Sequence, residues 1–425
     1  MRNSGKIITI ILLLGVVGLI AWPVLHPEPE FQGKRVSRWL QQKLDGSGDW
    51  QEVTNAFFQI GPPAIPCIAG RLRRDNSGLA RGYRQTWARS PGFLKKIIPE
   101  PGEPMPEVAA VNAFCEIGPR AIPSLTALLG DRNPLVRSSA AWALGSFQRT
   151  GHGDAVKIAE LVNSLKDSDA RVRLHAAGTL GEFGEQAVPA IAPLIARLKD
   201  DEKGLKSGTV VPVRSWAARA LGRIGPTAEA AAPALVSLSK DTNSYTRMAA
   251  DIALWRIRRN VAETLPRLTN DLSQAVEYSK WEIFEALAEI GPAAKSAEVA
   301  IAPDLKSQNP EVRQRAAEAL WKIDPAQAPL VVEALIEPMN DPIATSANAY
   351  SVTEGAKLLG EMGSGAESAA PSLEKLLKHS YPPARTAAAE ALRRIRPLTP
   401  EEAQMAQKGK SARQQGDPAT IGHPE

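Results

Sequence analysis

The chain has 425 residues, of which 44% are apolar and 5% aromatic, and its formal net charge is +5, from 51 Lys and Arg against 46 Asp and Glu. The apolar fraction is that of a folded protein, and so mild a charge does not by itself indicate nucleic-acid binding. A chain of this length would normally form two or three globular domains, unless it is built of repeats that contact only their neighbours.

An uncharged stretch lies near the start of the chain. Residues 7–25 carry no charge and follow the basic Arg2 and Lys6, and their length is about what a bilayer core requires. A cleaved signal peptide is the alternative, although Leu19 and Ala21 make a poor cleavage site. We therefore predict a signal anchor (transmembrane helix) at residues 1–25. The basic flank predicts a single-pass membrane protein with a cytoplasmic N-terminus and extracytoplasmic repeats, in the periplasm or at the cell surface.

Residues 26–52 are predicted to be a Pro-rich spacer followed by an N-terminal capping helix. A helix over residues 31–44 places Val36, Trp39, Leu40 and Leu44 on one face, which would cover the open end of the first repeat. Insertion of Trp39 into a membrane interface is the alternative.

One pattern of two short helices recurs from residue 53 to residue 396. In the unit at residues 214–247, Trp216, Leu221 and Ile224 share a helical stripe, Gly225-Pro226 ends the first helix, and the second starts near Pro233. Neither helix could bury its stripe alone, so the pairs are predicted to stack. Basic residues recur at steps of 33 to 41 residues, at Arg137, Arg173, Arg214, Arg247, Lys280 and Arg313, and an Asp stands six residues earlier at Asp131, Asp167 and Asp241.

This pattern resembles HEAT repeats of the short, Gly-rich kind that also occur in phycobilisome-lyase-like proteins. The period, the Asp/Arg spacing and the Ile-Gly-Pro turns carry the resemblance; these turns lie at residues 60–62, 117–119, 224–226 and 290–292. Residues 31–44 also look like the opening of many anchored bacterial HEAT-repeat proteins. The resemblance departs at Lys280, which replaces Arg, and at Ser307 and His379, which replace Asp.

The resemblance implies an all-α fold, an α-solenoid of about nine stacked HEAT-like helix pairs with a capping helix at each end. It also implies that charged side chains form a structural ladder between neighbouring repeats. The residues of this predicted ladder are Asp131, Arg137, Asp167, Arg173, Arg214, Asp241, Arg247 and Arg313.

Two segments interrupt the repeats, and one follows them. Residues 75–106 form a basic insertion with aromatic residues between its cations, and could contact phosphates, anionic lipid headgroups or an acidic partner. A solvated basic helix with its aromatic rings packed on the solenoid is the alternative. Residues 200–213 form a longer loop, and residues 397–425 are predicted to be a short helix and a disordered tail. The cations of the possible anionic-contact patch are Arg81, Arg84, Arg89, Lys95 and Lys96.

No motif of known chemistry stands out in the sequence. The HExxH, GxSxG, Walker and CxxC patterns do not occur, and the five histidines are scattered. We therefore predict no catalytic, cofactor-binding or metal-binding residues. Cys67 and Cys115 are interpreted as free thiols, with a disulfide as the alternative.

The leading functional prediction is a non-enzymatic, membrane-tethered scaffold that binds protein partners on the concave face of the solenoid. Residues 7–25 would provide the membrane contact, and neither a cofactor, a small-molecule substrate nor nucleic acid is expected. The resemblance implies a first alternative, a bilin-lyase-like enzyme or chaperone. A nucleic-acid-binding HEAT-like protein is the second alternative, supported only by the basic insertion.

Overall fold

The computed structural model describes residues 28–95, 97, 99–206, 209–275, 277–339, 349–379 and 381–396. They fall into two compact units, the first ending at Thr179 and the second beginning at Leu180. The predicted anchor at residues 1–25 lies outside the described residues, as do the predicted short helix and tail at residues 397–425.

A short hairpin and a helix open the described chain. Strands β1 (Glu30–Phe31) and β2 (Lys34–Arg35) pair antiparallel, and helix α1 (Val36–Asp45) follows them. The predicted helix over residues 31–44 therefore begins five residues later, because Gln32 and Gly33 adopt positive φ angles of 49° and 74° that an α-helix does not allow. Trp39 is fully buried in α1, and its indole Nε1 donates to the carbonyl oxygen of Phe31 at 3.3 Å.

The first unit continues as short helices in sequence pairs, with two additional helices in the basic insertion. Its core is made by large apolar side chains such as Phe57, Ile68 and Phe114, each with no exposed surface. Its further helices are α2 (Trp50–Ile60), α3 (Ile65–Asp75), α4 (Gly78–Arg89), α5 (Gly92–Lys95), α6 (Glu107–Glu116), α7 (Ile122–Leu128), α8 (Pro134–Arg149), α9 (Ile158–Ser164) and α10 (Ala170–Glu182), the last of which ends among residues of the second unit.

The second unit repeats the same arrangement around a core of Leu, Ile and Ala side chains. The unit at residues 214–247 consists of a first helix, a 3-10 segment (Pro226–Ala231) and a second helix beginning at Ala232. The helices of this unit are α11 (Ile191–Arg197), α12 (Val213–Ile224), α13 (Ala232–Leu238), α14 (Ser244–Arg258), α15 (Val261–Gln274), α16 (Glu277–Ile290), α17 (Glu298–Ile301), α18 (Pro310–Ile323), α19 (Ala328–Met339), α20 (Ala349–Met362), α21 (Ala370–Leu376) and α22 (Pro382–Ile395).

The Ile-Gly-Pro turns explain how the chain reverses between the helices of a pair. Gly61, Gly118, Gly225 and Gly291 all have positive φ angles, between 66° and 84°. An L side chain is disfavoured there, and the following Pro supplies no N–H to continue the helix. The turn therefore ends the first helix and lets the second run back.

Small residues let the first helices of adjacent pairs approach closely. A Cβ atom added to Gly222 of α12 would lie 2.7 Å from the Cα of Ala253 in α14, and one added to Gly360 of α20 would lie 2.9 Å from the Cα of Ala391 in α22. Backbone cannot move aside as a flexible side chain can, so these two positions require Gly.

The predicted long loop at residues 200–213 contains regular structure. Strands β3 (Lys203–Lys206) and β4 (Thr209–Pro212) pair antiparallel, with Lys203 opposite Pro212 and Gly204 opposite Val211. Helix α12 begins directly after β4. This segment is therefore a hairpin rather than an irregular loop.

The predicted fold class is confirmed. Apart from α4 and α5 of the insertion, the described helices form nine pairs in chain order, preceded by α1 and followed by α22. The only strands in this part of the chain are the two small hairpins. The chain is an all-α HEAT-repeat solenoid.

The predicted single-pass membrane localisation is contradicted. The longest described helix, α8, has 16 residues and spans about 24 Å, less than the roughly 30 Å of a bilayer core. Among the residues that the structure describes, no helix combines the length and the apolar character needed to cross a membrane. The membrane contact predicted for residues 7–25 lies outside the described residues.

Candidate functional site

The basic insertion forms an exposed helix, α4, that begins at a capped N-terminus. The Ser77 hydroxyl accepts a hydrogen bond from the backbone N–H of Ala80 at 3.1 Å. No residue of α4 is buried, and Leu79 and Tyr83 are 89% and 42% exposed. The apolar side chains of this helix are therefore not packed into the solenoid core.

The structure describes four of the five predicted cations of the insertion. Arg81 and Arg84 donate to the carbonyl oxygens of Asn76 and Asp75, at 3.0 and 2.8 Å. Lys95 donates to a carbonyl of α4 at 3.0 Å and lies over the Trp87 ring. Arg89 is exposed, and Lys96 lies outside the described residues.

Arg81 also lines a pocket to which three other arginines contribute. This arginine pocket has a volume of about 440 Å³, within the range of small-molecule sites. Its arginines come from four segments, α3, α4, the turn before α8, and α10. The lining residues are Arg73, Asn76, Gly78, Arg81, Arg132, Asn133, Pro134, Leu135 and Arg171.

Two of the four arginines are neutralised by carboxylates. Arg73 donates from Nε to Asp131 Oδ2 at 3.1 Å, and Arg171 pairs with Asp169 at 3.0 Å. Burial opposes ionisation of both aspartates, but the arginine and backbone hydrogen bonds outweigh it and lower the pKa of each, so both stay charged.

The other two arginines, Arg81 and Arg132, have no carboxylate within ion-pair distance among the residues that the structure describes. Both are exposed. Four arginines less two aspartates leave the pocket a net charge of about +2, with the N-terminus of the 16-residue helix α8 at its wall.

A buried polar cluster, Glu107, Ser138 and His175, also lies in the first unit. The Ser138 hydroxyl donates to Glu107 Oε1, and His175 Nε2 lies 3.9 Å from the same oxygen. Burial raises the pKa of Glu107 although the Ser138 hydrogen bond opposes this. The Trp142 ring stacks on the His175 ring, with centroids 4.9 Å apart.

The geometry of this cluster differs from that of an activated serine. In a nucleophilic triad the Ser hydroxyl donates to a His nitrogen, whereas Ser138 donates to a carboxylate and is fully buried. The cluster places a buried carboxyl beside an imidazole. This cluster was not identified from the sequence, because Glu107, Ser138 and His175 lie on three different helices.

The second unit contains two further groups of buried charges. The Arg219 guanidinium lies over the Trp216 ring, pairs with Glu282 at 3.0 Å and donates to the Tyr245 hydroxyl at 2.9 Å. Burial raises the pKa of the Tyr245 hydroxyl despite the adjacent arginine. The charge of Arg219 is balanced by that of Glu282, which favours a structural role for this group.

The second group is a pair of carboxyls, Asp251 of α14 and Asp271 of α15. They are 2% and 5% exposed, and they receive hydrogen bonds from Arg267 and Arg247, both at 3.3 Å. Burial and the neighbouring Asp271 raise the pKa of Asp251 to about 7.

The predicted ladder residues occupy repeating positions. Arg137 donates to Asp167 at 2.6 and 2.7 Å, and Arg214 to Asp241 at 2.9 and 3.3 Å. Asp131 instead pairs with Arg73 of the preceding helix pair. The Arg137 and Arg214 ion pairs each connect the first helix of a pair to the turn that follows its second helix, whereas the Asp131–Arg73 ion pair connects two successive helix pairs.

The other ladder arginines use different partners. Arg173 donates to the carbonyl oxygen of Asp167 at 2.8 Å. Arg247 contacts Asp271 within its own helix pair, and Arg313 pairs with Glu337 at 3.0 Å. The structural role of the ladder stays a prediction.

Cysteine and metal chemistry are not evident in the described part of the chain. Cys67 and Cys115 are both free thiols, and burial raises the pKa of Cys115 to about 11, which disfavours the nucleophilic thiolate. Within the described ranges no three His, Cys, Asp or Glu side chains are grouped to hold a metal ion.

Three segments match models of repeat families. Residues 299–393 match HEAT repeats, residues 110–147 match a HEAT-like repeat, and residues 213–241 match the PBS lyase HEAT-like repeat. The last match coincides with α12 and α13, the unit in which the pattern is clearest in the sequence.

Two curated relatives carry the same name, phycocyanobilin lyase subunit alpha. The protein from Nostoc sp. (strain PCC 7120) is 30% identical over 186 residues, which cover 41% of this chain and 65% of the relative. The protein from Microchaete diplosiphon is 35% identical over 92 residues, which cover 22% of this chain and 30% of the relative. The chain thus spans less than two thirds of the length of either relative.

Two solved structures are similar to parts of this chain. The complex of CpcE and CpcF of phycocyanin lyase from Nostoc sp. is 24% identical, covers 60% of this chain and 94% of its own, and gives a TM-score of 0.39. An engineered protein is 21% identical, covers 85% of this chain and 94% of its own, and gives a TM-score of 0.36.

These relatives contradict the prediction that the protein is not an enzyme, since both curated relatives are named as lyase subunits. The prediction failed because the repeat pattern was interpreted as architecture alone, and no residue motif signalled a reaction. The expectation of no small-molecule substrate likewise has no support. What the family matches establish is that the chain contains HEAT repeats, including repeats of the phycobilisome-lyase type.

Proposed function

We propose that this protein is a bilin-lyase-like HEAT-repeat protein, which binds an open-chain tetrapyrrole and works together with a protein partner. The observation that carries the proposal is the 30% identity over 186 residues to a phycocyanobilin lyase subunit. The match of residues 213–241 to the PBS lyase HEAT-like repeat supports it.

A protein partner belongs to the proposal because the relatives are named as subunits. A stacked-repeat surface is suited to such a partner, since its residues are held by neighbouring repeats before binding and little order is lost on association. A preformed surface for a protein partner is common to the scaffold predicted from the sequence and to a lyase-like protein. Nucleic-acid binding rests on the basic insertion alone, and no relative named above adds to it.

The first test is bilin binding by the purified full chain. The protein is incubated with phycocyanobilin, separated from free pigment by gel filtration, and its visible absorbance is recorded. We expect pigment to elute with the protein in a fixed stoichiometry and with a shifted spectrum. A HEAT-repeat solenoid of similar length that is unrelated to lyases is the control for pigment that adheres non-specifically.

The second test is transfer of the pigment. Full-length protein, phycocyanobilin and an apo-phycocyanin are mixed, the proteins are denatured, and pigment that remains attached to the acceptor is measured. The experiment is repeated with any protein that co-purifies from the native host, since a partner subunit can be required. Failure to bind pigment and failure to transfer it, with the partner present, would together contradict the proposal.

A further inference from the structure

The arginine pocket combines a ligand-sized volume with positive charge that no described carboxylate neutralises. A second cavity, near Lys357 and Glu390, is smaller and holds about 190 Å³. The buried groups around Arg219 and Asp251 lie in the protein interior and are largely compensated by their neighbours. The arginine pocket is therefore the cavity for which we infer a ligand.

Charge and chemistry narrow the class of ligand. The pocket has a net charge of about +2 that resides on Arg81 and Arg132, while Pro134 and Leu135 give its wall an apolar part. Beside it, Leu79 is 89% exposed on the same helix as Arg81. An inorganic anion would use the arginines only, whereas a ligand with both carboxylates and a broad apolar body would use the entire surface.

We propose that the arginine pocket binds the two propionate carboxylates of a bilin, with Arg81 and Arg132 as the cations that recognise them. This proposal rests on the proposed function and adds to it the place where the pigment is held. Two carboxylates match the two unpaired guanidinium groups in charge, and each guanidinium can present two parallel N–H donors to one carboxylate.

The proposed bilin site gives the basic insertion a function. Helix α4, which the insertion adds between the first two helix pairs, supplies Gly78 and Arg81 to the pocket. Arg73 and Arg171, already paired with Asp131 and Asp169, hold the walls in place. They are positioning residues, and the two exposed arginines make the ligand contacts.

The test compares charge reversals at matched positions. The dissociation constant for phycocyanobilin is measured by absorbance titration for the intact protein and for Arg81→Glu, Arg132→Glu and Arg89→Glu. Arg89 lies on the same helix as Arg81, is exposed and does not line the pocket. We expect Arg81→Glu and Arg132→Glu each to weaken binding about tenfold or more and Arg89→Glu to change it less than about twofold. Circular dichroism verifies that every variant is folded.

A second experiment changes the ligand instead of the protein. The dimethyl ester of phycocyanobilin keeps the conjugated rings and lacks both charges, so we expect it to bind at least about tenfold more weakly than the free acid. Pyrophosphate added as a competitor should displace the free acid from the intact protein and have no effect on the variants that lack Arg81 or Arg132.

The outcomes separate this proposal from the proposed function. Bilin binding that is equal in all four proteins, or equal for acid and ester, overturns the pocket and leaves the proposed function intact. Absence of bilin binding by the intact protein overturns both. Binding of pyrophosphate without binding of bilin shows a site for another anion and overturns the assignment to bilin.

Discussion

Arg137 of α8 is hydrogen-bonded both to the turn before its helix pair and to the turn after it. Its Nε and Nη2 donate to Asp167 Oδ2 and Oδ1 at 2.6 and 2.7 Å, and its Nη1 donates to the carbonyl oxygen of Asp131 at 2.7 Å. The six-residue spacing between Asp131 and Arg137 thus reflects a contact with the backbone, while the side chain of Asp131 accepts the N–H of Asn133 at 2.8 Å.

The same geometry explains the departures from the sequence pattern. Arg313 donates to the carbonyl oxygen of Ser307, and Arg385 to that of His379 at 2.8 Å. Each of these residues also accepts the N–H two residues later, through Oγ of Ser307 at 3.2 Å and Nδ1 of His379 at 3.1 Å. Since the arginine needs only a carbonyl, Asp can be replaced without loss of this contact.

We expect Arg137→Ala to destabilise the protein. The substitution leaves the largely buried Asp167 carboxylate, which is 12% exposed, without its guanidinium partner, at a cost of about 1–3 kcal/mol in the free energy of unfolding. The measurement is the urea midpoint followed by circular dichroism. Arg74→Ala is the control, because Arg74 is exposed. Equal midpoints for the two variants would contradict a role for the Arg137–Asp167 ion pair.

We expect Gly222→Ala and Gly82→Ala to shift stability in opposite directions. At Gly222 the new Cβ would lie 2.7 Å from the Cα of Ala253, which costs about 1–3 kcal/mol through overpacking. At Gly82, within helix α4, the new Cβ meets no atom within 4 Å, and the better helix propensity of Ala stabilises by up to about 1 kcal/mol. Thermal unfolding of the two variants decides this; a stable Gly222→Ala variant would show that the helices can separate.

We expect the stability of the second unit to fall as the pH rises from about 4 to about 7. The pKa of Asp251 is raised from 3.8 to about 7 by burial and by Asp271. In this window the folded state therefore binds more protons than the unfolded state, and deprotonation disfavours folding. Arg247 and Arg267, the cations that face the pair, lessen the effect.

Asp251→Asn tests this pH dependence. The neutral amide should remove most of the slope between pH 4 and pH 7 and raise stability above pH 7 by an amount on the order of 1–3 kcal/mol. Urea midpoints at pH 5 and pH 8 are compared with those of Asp201→Asn, which changes an exposed carboxylate of the same unit. An unchanged slope in Asp251→Asn would assign the pH dependence to other groups.

We expect Arg219→Met to cost more than the double variant Arg219→Met/Glu282→Leu. The single substitution leaves the buried Glu282 carboxylate unpaired, at a cost of about 3–5 kcal/mol, whereas the double variant removes the charge altogether. A double-mutant cycle on the urea midpoints measures the coupling. Additive losses would show that the ion pair contributes no coupling energy.

The helix pairs could be predicted because their causes are local. Apolar spacing of 3.6 residues marks the buried face of α12, and Gly225, with a φ of 84°, ends this helix at the predicted place. The hairpin β3–β4 was missed, since Lys203–Lys206 lacks the alternation of apolar and polar residues that marks a strand.

The arginine pocket could not be predicted, because its residues are distant in sequence. Arg73 and Arg171 are nearly one hundred residues apart, and only stacking of helix pairs brings them to one cavity. The sequence identified Arg81 as part of a basic segment but contained no sign that Arg132 would lie beside it. The prediction that the protein is not an enzyme failed for a related reason, as no compact motif in the sequence indicated a reaction.

The contact made by Arg137 has a consequence for how such a chain can change in length. Each bridging arginine joins one helix pair to the next through a backbone carbonyl that any residue supplies. A duplicated helix pair would therefore contain its own bridging arginine and would offer a carbonyl to the arginine of the next pair. Whole helix pairs could then be gained or lost without leaving an arginine side chain unpaired.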